Sequence, residues 1–136
     1  MTKHQSASRR ICVPIGAVLI ALSACSTPAR TATNFCRQLE HELPEIAQPT
    51  ATPAEVEALV GSYERLNKVA PLTIEEDWQA LLNLVKAAAE VDATDPASVQ
   101  AVADLAYATQ RSATASAKWV TETCGVDIST GISTTP

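Results

Sequence analysis

The stretch DPASVQAVADLAYATQRSATASAKWVTETCG, residues 95–125, decides the fold. Asp95 offers a side-chain oxygen to cap a helix, and Pro96 suits the first helical position, where no N–H is needed. No Gly or Pro follows until Gly125, which fits a left-handed cap after Cys124. The spacing predicts one helix of about 28 residues, about 42 Å long. Val99, Val102, Ala106, Ala113 and Val120 fall on one side of it.

Three shorter helices precede it. The first is expected to start near Thr33 or Asn34, with an apolar stripe of Phe35, Cys36, Leu39, Leu43 and Ile46. Pro44 should end or kink it. The second opens with Thr52, Pro53 and Glu55, a capping box with Pro in the first turn. Its stripe is Val56, Leu59, Val60, Tyr63, Leu66 and Val69, and Pro71 stops it. Gly61 inside this helix costs about 1 kcal/mol relative to Ala, for which close approach of a neighbouring helix is one reason. Glu64 and Lys68 form an i,i+4 pair. The third helix is expected to be capped by Thr73, with Glu76 three residues on, and to run to near Val91. Ile74, Trp78, Leu81, Leu82, Val85 and Ala89 mark its inner face.

No stretch alternates with a strand period. The fold class is therefore all-α, an up-down four-helix bundle, because the connections are short. In that topology the start of the first helix and the end of the fourth share one end. Cys36 and Cys124 lie at those positions, and Phe35, Trp78 and Trp119 should gather beside them.

The amino terminus carries a different message. Lys3, Arg9 and Arg10 precede an apolar run from Ile11 to Leu22, which is too short to span a hydrocarbon core of about 30 Å. Leu22-Ser23-Ala24-Cys25 follows, in the pattern of a bacterial lipobox. Residues 1–24 are read as a lipoprotein signal peptide cleaved between Ala24 and Cys25. Cys25 would then receive a diacylglycerol group, with palmitate among its acyl chains, and two chains hold a protein to a membrane where one does not. A plain cleavable signal or an uncleaved anchor is the competing reading. Ser8-Arg9-Arg10 hints at twin-arginine export, although Ile11-Cys12-Val13 matches it poorly.

Processing would leave 112 of the 136 residues, enough for one small domain. It would remove three bases and no acid, so the net charge of −5 becomes −8. Such a surface argues against nucleic acid as a partner. Cys12 is discarded and Cys25 carries lipid, so Cys36 and Cys124 pair as a disulfide in an oxidising compartment. Residues 25–33 read as the lipidated Cys and a flexible tether, 34–128 as the helical domain, and 129–136 as a disordered tail.

The chain offers little for catalysis. His41 is the one histidine after the signal, among Glu40, Glu42 and Glu45, and reads as a solvated residue. The Glu-x-x-His pattern of di-iron bundles fails because position 38 is Gln38. Glu75-Glu76-Asp77 suits the positive end of a helix better than a cation. Glu90, Asp92 and Asp95 lack calcium-loop spacing. Tyr63 and Tyr107 fit core positions better than haem ligation. The expectation is no enzyme, no metal and no cofactor. From Ala106 to Ala117 the fourth helix is small and polar, which favours close packing; the alternative is a groove for an apolar guest.

Taken together, the lipobox, the Thr/Pro-rich tether, Asn34-Phe35-Cys36, four helices and Thr123-Cys124-Gly125-Val126-Asp127 resemble the small helical lipoproteins of mycobacteria and related actinobacteria. That resemblance implies a location and a fold and carries no catalytic residues. The function expected is a lipid-anchored, non-enzymatic binding or scaffold module on the extracytoplasmic face of the cell membrane, with a protein partner in the envelope. The alternative is a carrier of a small apolar ligand or lipid.

Overall fold

The computed structural model describes residues 28–129. The signal segment, Cys25, the first part of the tether and residues 130–136 of the tail lie outside them. Four helices make up the described residues: α1 (Ala32–Ile46), α2 (Pro53–Val69), α3 (Glu75–Ala89) and α4 (Pro96–Cys124). Each packs on the next, most extensively α3 on α4, and α1 closes on α4 through a smaller contact. This is the up-down bundle that the periodicity predicts.

The helix ends follow local chemistry. Thr31 Oγ1 accepts from Asn34 N at 3.2 Å, so α1 starts at Ala32, slightly earlier than its stripe suggests. Pro44 lies inside α1, which nevertheless continues to Ile46. A proline this close to the end removes one bond where few remain to lose. At α2 the capping box is complete: Thr52 Oγ1 accepts from Glu55 N at 3.3 Å, and Glu55 Oε2 accepts from Thr52 N at 2.8 Å. At α4, Asp95 Oδ1 accepts from Ala97 N at 2.9 Å, and Gly125 takes the left-handed conformation at φ 69°.

Helix α3 departs from expectation. Ile74, not Thr73, occupies the cap position, and no side chain bonds there. Pro71 O accepts from Ile74 N at 3.0 Å, forming a turn that leads directly into the helix. Ala70, Pro71 and Ile74 are all buried. Burying this short connection places the apolar Ile74 where the polar cap would stand. Glu75, Glu76 and Asp77 then favour the helix dipole without a cap bond.

The core sits at one end of the bundle. Phe35 meets Trp78 edge-on at 5.0 Å and Trp119 edge-on at 5.5 Å, and Tyr63 stacks on Trp78 at 5.6 Å. Leu39, Leu66, Val69, Ala70, Ile74 and Val120 complete the buried cluster, with Val126 and Ile128 packed against it. Cys36 and Cys124 form a disulfide at its edge, Cα to Cα 5.3 Å. The three aromatic residues therefore gather by the disulfide, as the topology requires.

The expected stripe of α4 is not uniformly buried. Val120 is fully buried, but Val99 is 46% exposed and Ala106 is exposed. The inward positions are instead Thr109, Ser116 and Val120. Helices of 15 and 17 residues reach roughly 22–26 Å and cannot cover a 29-residue helix of roughly 43 Å along its length. Thr109 Oγ1 satisfies itself on Leu105 O at 2.7 Å, so a small polar residue enters the helix contact without an open donor.

The disulfide closes a loop with a sequence separation of 88 residues. In the chain-entropy model, opening it costs about 4–5 kcal/mol of stability. The double variant Cys36→Ser/Cys124→Ser should unfold at a much lower urea concentration than the parent, followed by helical circular dichroism.

Candidate functional site

The histidine and the tyrosines do not assemble into a reactive set. His41 is exposed, and its Nδ1 lies 3.6 Å from Glu42 Oε1. Burial pushes the Tyr63 phenol above its ordinary value of 10.0, and the ring belongs to the aromatic core. Tyr107 is 79% exposed, which overturns the core position expected for it. It lies on the outer face of α4, opposite the face that α3 covers.

Among the acids of the two clusters, Glu75, Asp92 and Asp95 are engaged by donors of the chain itself. Glu75 Oε1 accepts from Arg30 Nη1 at 2.7 Å. Asp92 Oδ1 accepts from Thr94 N at 2.9 Å and Thr94 Oγ1 at 2.7 Å, which lowers its pKa from the ordinary 3.8. Asp95 is spent as the α4 cap. Among the described residues, no group of three or more His, Cys, Asp or Glu side chains is placed to hold a metal ion. No helix there is long and apolar enough to cross a membrane.

The best-defined polar constellation joins α1 to α2. Glu42 lies seven residues after Phe35 and three after Leu39, on the apolar stripe of α1, and its side chain is 3% exposed. Arg65 Nε donates to Glu42 Oε1 and Arg65 Nη2 to Glu42 Oε2, each at 2.7 Å. Gln38 Nε2 donates to Oε1 at 2.6 Å, and Arg65 Nη2 also donates to Ser62 Oγ at 3.0 Å. The Arg65 hydrogen bonds chiefly hold the Glu42 carboxyl at about 2, below its ordinary 4.5, against burial that pushes it up. Both carboxylate oxygens are occupied, so at neutral pH Glu42 is a strut between helices and not a proton acceptor.

Gly61 belongs to the same arrangement. A Cβ at this position would stand 3.1 Å from Arg65 Nη1. The glycine makes room for the guanidinium one turn along its own helix, and not for a neighbouring helix. Sequence reasoning grouped Glu42 with the polar turn of His41. The signal available was its register: residues 35, 39, 42 and 46 share one face.

Two further charges moved. Arg30, read as part of the tether, donates through Nε to Ala70 O at 2.8 Å and binds Glu75, so the chain enters the bundle pinned between α2 and α3. Glu64 pairs with Lys86 of α3 at 2.6 Å, whereas the sequence suggested Lys68. The antiparallel packing of α2 and α3 sets Lys86 opposite Glu64.

At the end away from the disulfide, an open groove of about 560 Å³ runs between the start of α2 and the end of α3. Pro53, Val56, Val60 and Ala89 line it together with Glu57 and Lys86. For Ala106–Ala117 the sequence favoured close packing, with a groove as the alternative. Thr109 and Ser116 turn inward and are buried, in keeping with close packing of that segment. Its outer side does carry a shallow groove along Tyr107–Lys118.

No protein-family model, curated protein or solved structure matches the chain.

The Glu42 carboxyl, lowered from 4.5 to about 2, contributes stability that is complete above its unfolded value and is lost as pH falls through that window. Glu42→Gln should therefore be less stable than the parent near neutral pH, with the difference shrinking between pH 4.5 and 2 in urea titrations. Arg65→Met leaves the buried carboxylate unpaired and should cost about 3 kcal/mol at neutral pH, the low end for such a loss because the guanidinium is half exposed.

Proposed function

We propose that the protein is a lipid-anchored, extracytoplasmic binding or scaffold module with no catalytic role, held by acylated Cys25 after loss of residues 1–24. One observation carries this reading. The chain enters the bundle beside Arg30, at the end closed by the disulfide and the aromatic cluster, and the groove lies at the other end. A head built this way is rigid where it is held and presents its groove away from the anchor. The groove lining is acidic on balance, with Glu57 and Glu90 against one base, Lys86. That suits a partner in the envelope with a basic rim and a small apolar projection. The relation to small helical lipoproteins of actinobacteria belongs to the same proposal.

A second reading, the carrier of a small apolar ligand, draws on the size of the groove, which falls among small-molecule sites of about 300–1,000 Å³. Its charged rim and open shape favour a protein side chain over a fully enclosed guest.

Cys25→Ala should abolish incorporation of labelled palmitate and release the chain from the membrane fraction; unchanged labelling would sink the anchor. A photo-crosslinking residue at Glu57 should capture one envelope protein, and the same residue at Arg37 should not. The adduct should vanish when Val60→Lys fills the groove floor. Adducts at both positions, or at neither, would remove the scaffold reading. A stoichiometric lipid mass in native mass spectra, lost in Val60→Lys, would support the carrier instead.

A further inference from the structure

The outer face of α4 presents a large aromatic side chain to solvent. Tyr107 is 79% exposed at its centre. Asp104 and Arg111 flank it at three and four residues, and these spacings place all three side chains on one face. Among the described residues, Arg111 has no ion-pair partner, and Asp104 accepts only from Gln100 Nε2 at 2.7 Å. Beside them runs a shallow groove lined by Tyr107, Ala108, Arg111, Thr114, Ala115 and Lys118.

The order acid, aromatic, base is self-complementary when reversed. Two antiparallel copies of α4 related by a two-fold axis between residues 107 and 108 set Asp104 against the other copy's residue 111, and Arg111 against its residue 104. The same axis places each Tyr107 over the other copy's Ala108, in the shallow groove. Two-fold pairing makes every favourable contact twice, which is the geometry of an isologous interface.

We propose that this face is a self-association surface, and that its partner is a second copy of the chain docked antiparallel along α4. This goes beyond the scaffold reading and is independent of it, because it uses neither the anchor nor the distal groove. The net charge of −5 opposes association at long range. At physiological salt that repulsion is screened beyond about 8 Å, whereas paired charges in contact are not. A single helix face with one aromatic anchor gives a weak dimer, populated when the chain is concentrated.

The test uses the full chain in membranes or extract, with Ala108→Cys added near the axis, oxidised mildly and resolved without reductant. A dimeric adduct is expected above the level of the parent chain. Ala97→Cys is expected to give none, because the axis sets it opposite residue 118 and far from its own counterpart. Asp104→Arg or Arg111→Asp added to Ala108→Cys should lower the adduct about tenfold, since each places like charges in contact. The double reversal Asp104→Arg/Arg111→Asp should restore it, and mixing the two single reversals should give a mixed dimer. Absence of the adduct, equal adducts from positions 97 and 108, or no recovery in the double reversal would overturn the proposal. None of these outcomes bears on the anchor, so failure here and failure of the scaffold reading are distinguishable.

Discussion

The structure depends on one covalent constraint. The Cys36–Cys124 bond brings the first turn of α1 and the last turn of α4 to 5.3 Å between Cα atoms. Four short-connected helices already place those two ends together, so the bond reinforces the topology and does not oppose it. The largest apolar side chains meet at the same place. Phe35 sits between Trp78 and Trp119, and these rings draw on α1, α3 and α4. Tyr63 brings in α2. Aromatic burial of this kind dominates the energetics of a small core. A domain of about 100 residues buries too little surface to spread such a core along its length, so it concentrates at the closed end.

Away from that end the helices are held by weaker devices. The Glu42–Arg65 pair ties α1 to α2. Its desolvation cost is met by hydrogen bonds to both carboxylate oxygens and by keeping half of the guanidinium in water. Glu64–Lys86 and the Asn67–Gln79–Asn83 chain join α2 to α3 on the exposed side. Such surface contacts add little individually. They do set register, because each pairs one residue on one helix with one on the next. The result is graded: a disulfide and an aromatic core at one end, polar contacts and an open groove at the other.

This gradient links fold to function. In the proposed reading, a head held at its disulfide end leaves exposed, polar surface elsewhere for a partner. The small residues of α4 serve this division. Thr109 and Ser116 are buried on the inner side, and the outer side is left to Tyr107, Arg111 and Lys118. The helix is both a core element and a display surface, because it is almost twice as long as each helix beside it.

Local chemistry alone determined a good deal. Asp95-Pro96, Gly125 and Thr52-Pro53-Ala54-Glu55 marked helix ends by the bonds their own side chains and backbones make, and those bonds form whatever the rest of the chain does. Apolar periodicity determined the number of helices, and topology with two cysteines determined the aromatic layer. Tertiary structure alone decided what depends on neighbours. Glu42 is buried because Arg65 of another helix is there to receive it. Glu64 chooses Lys86 over Lys68 because α3 lies alongside. Ile74 displaces Thr73 as the cap because the connection is drawn into the core. Tyr107 stays outside because it lies on the face of α4 opposite the one that α3 covers, and Val99 because the shorter helices do not cover α4 along its whole length. A side chain's own pattern says which face it shares; whether anything covers that face is settled by the lengths and packing of the other helices.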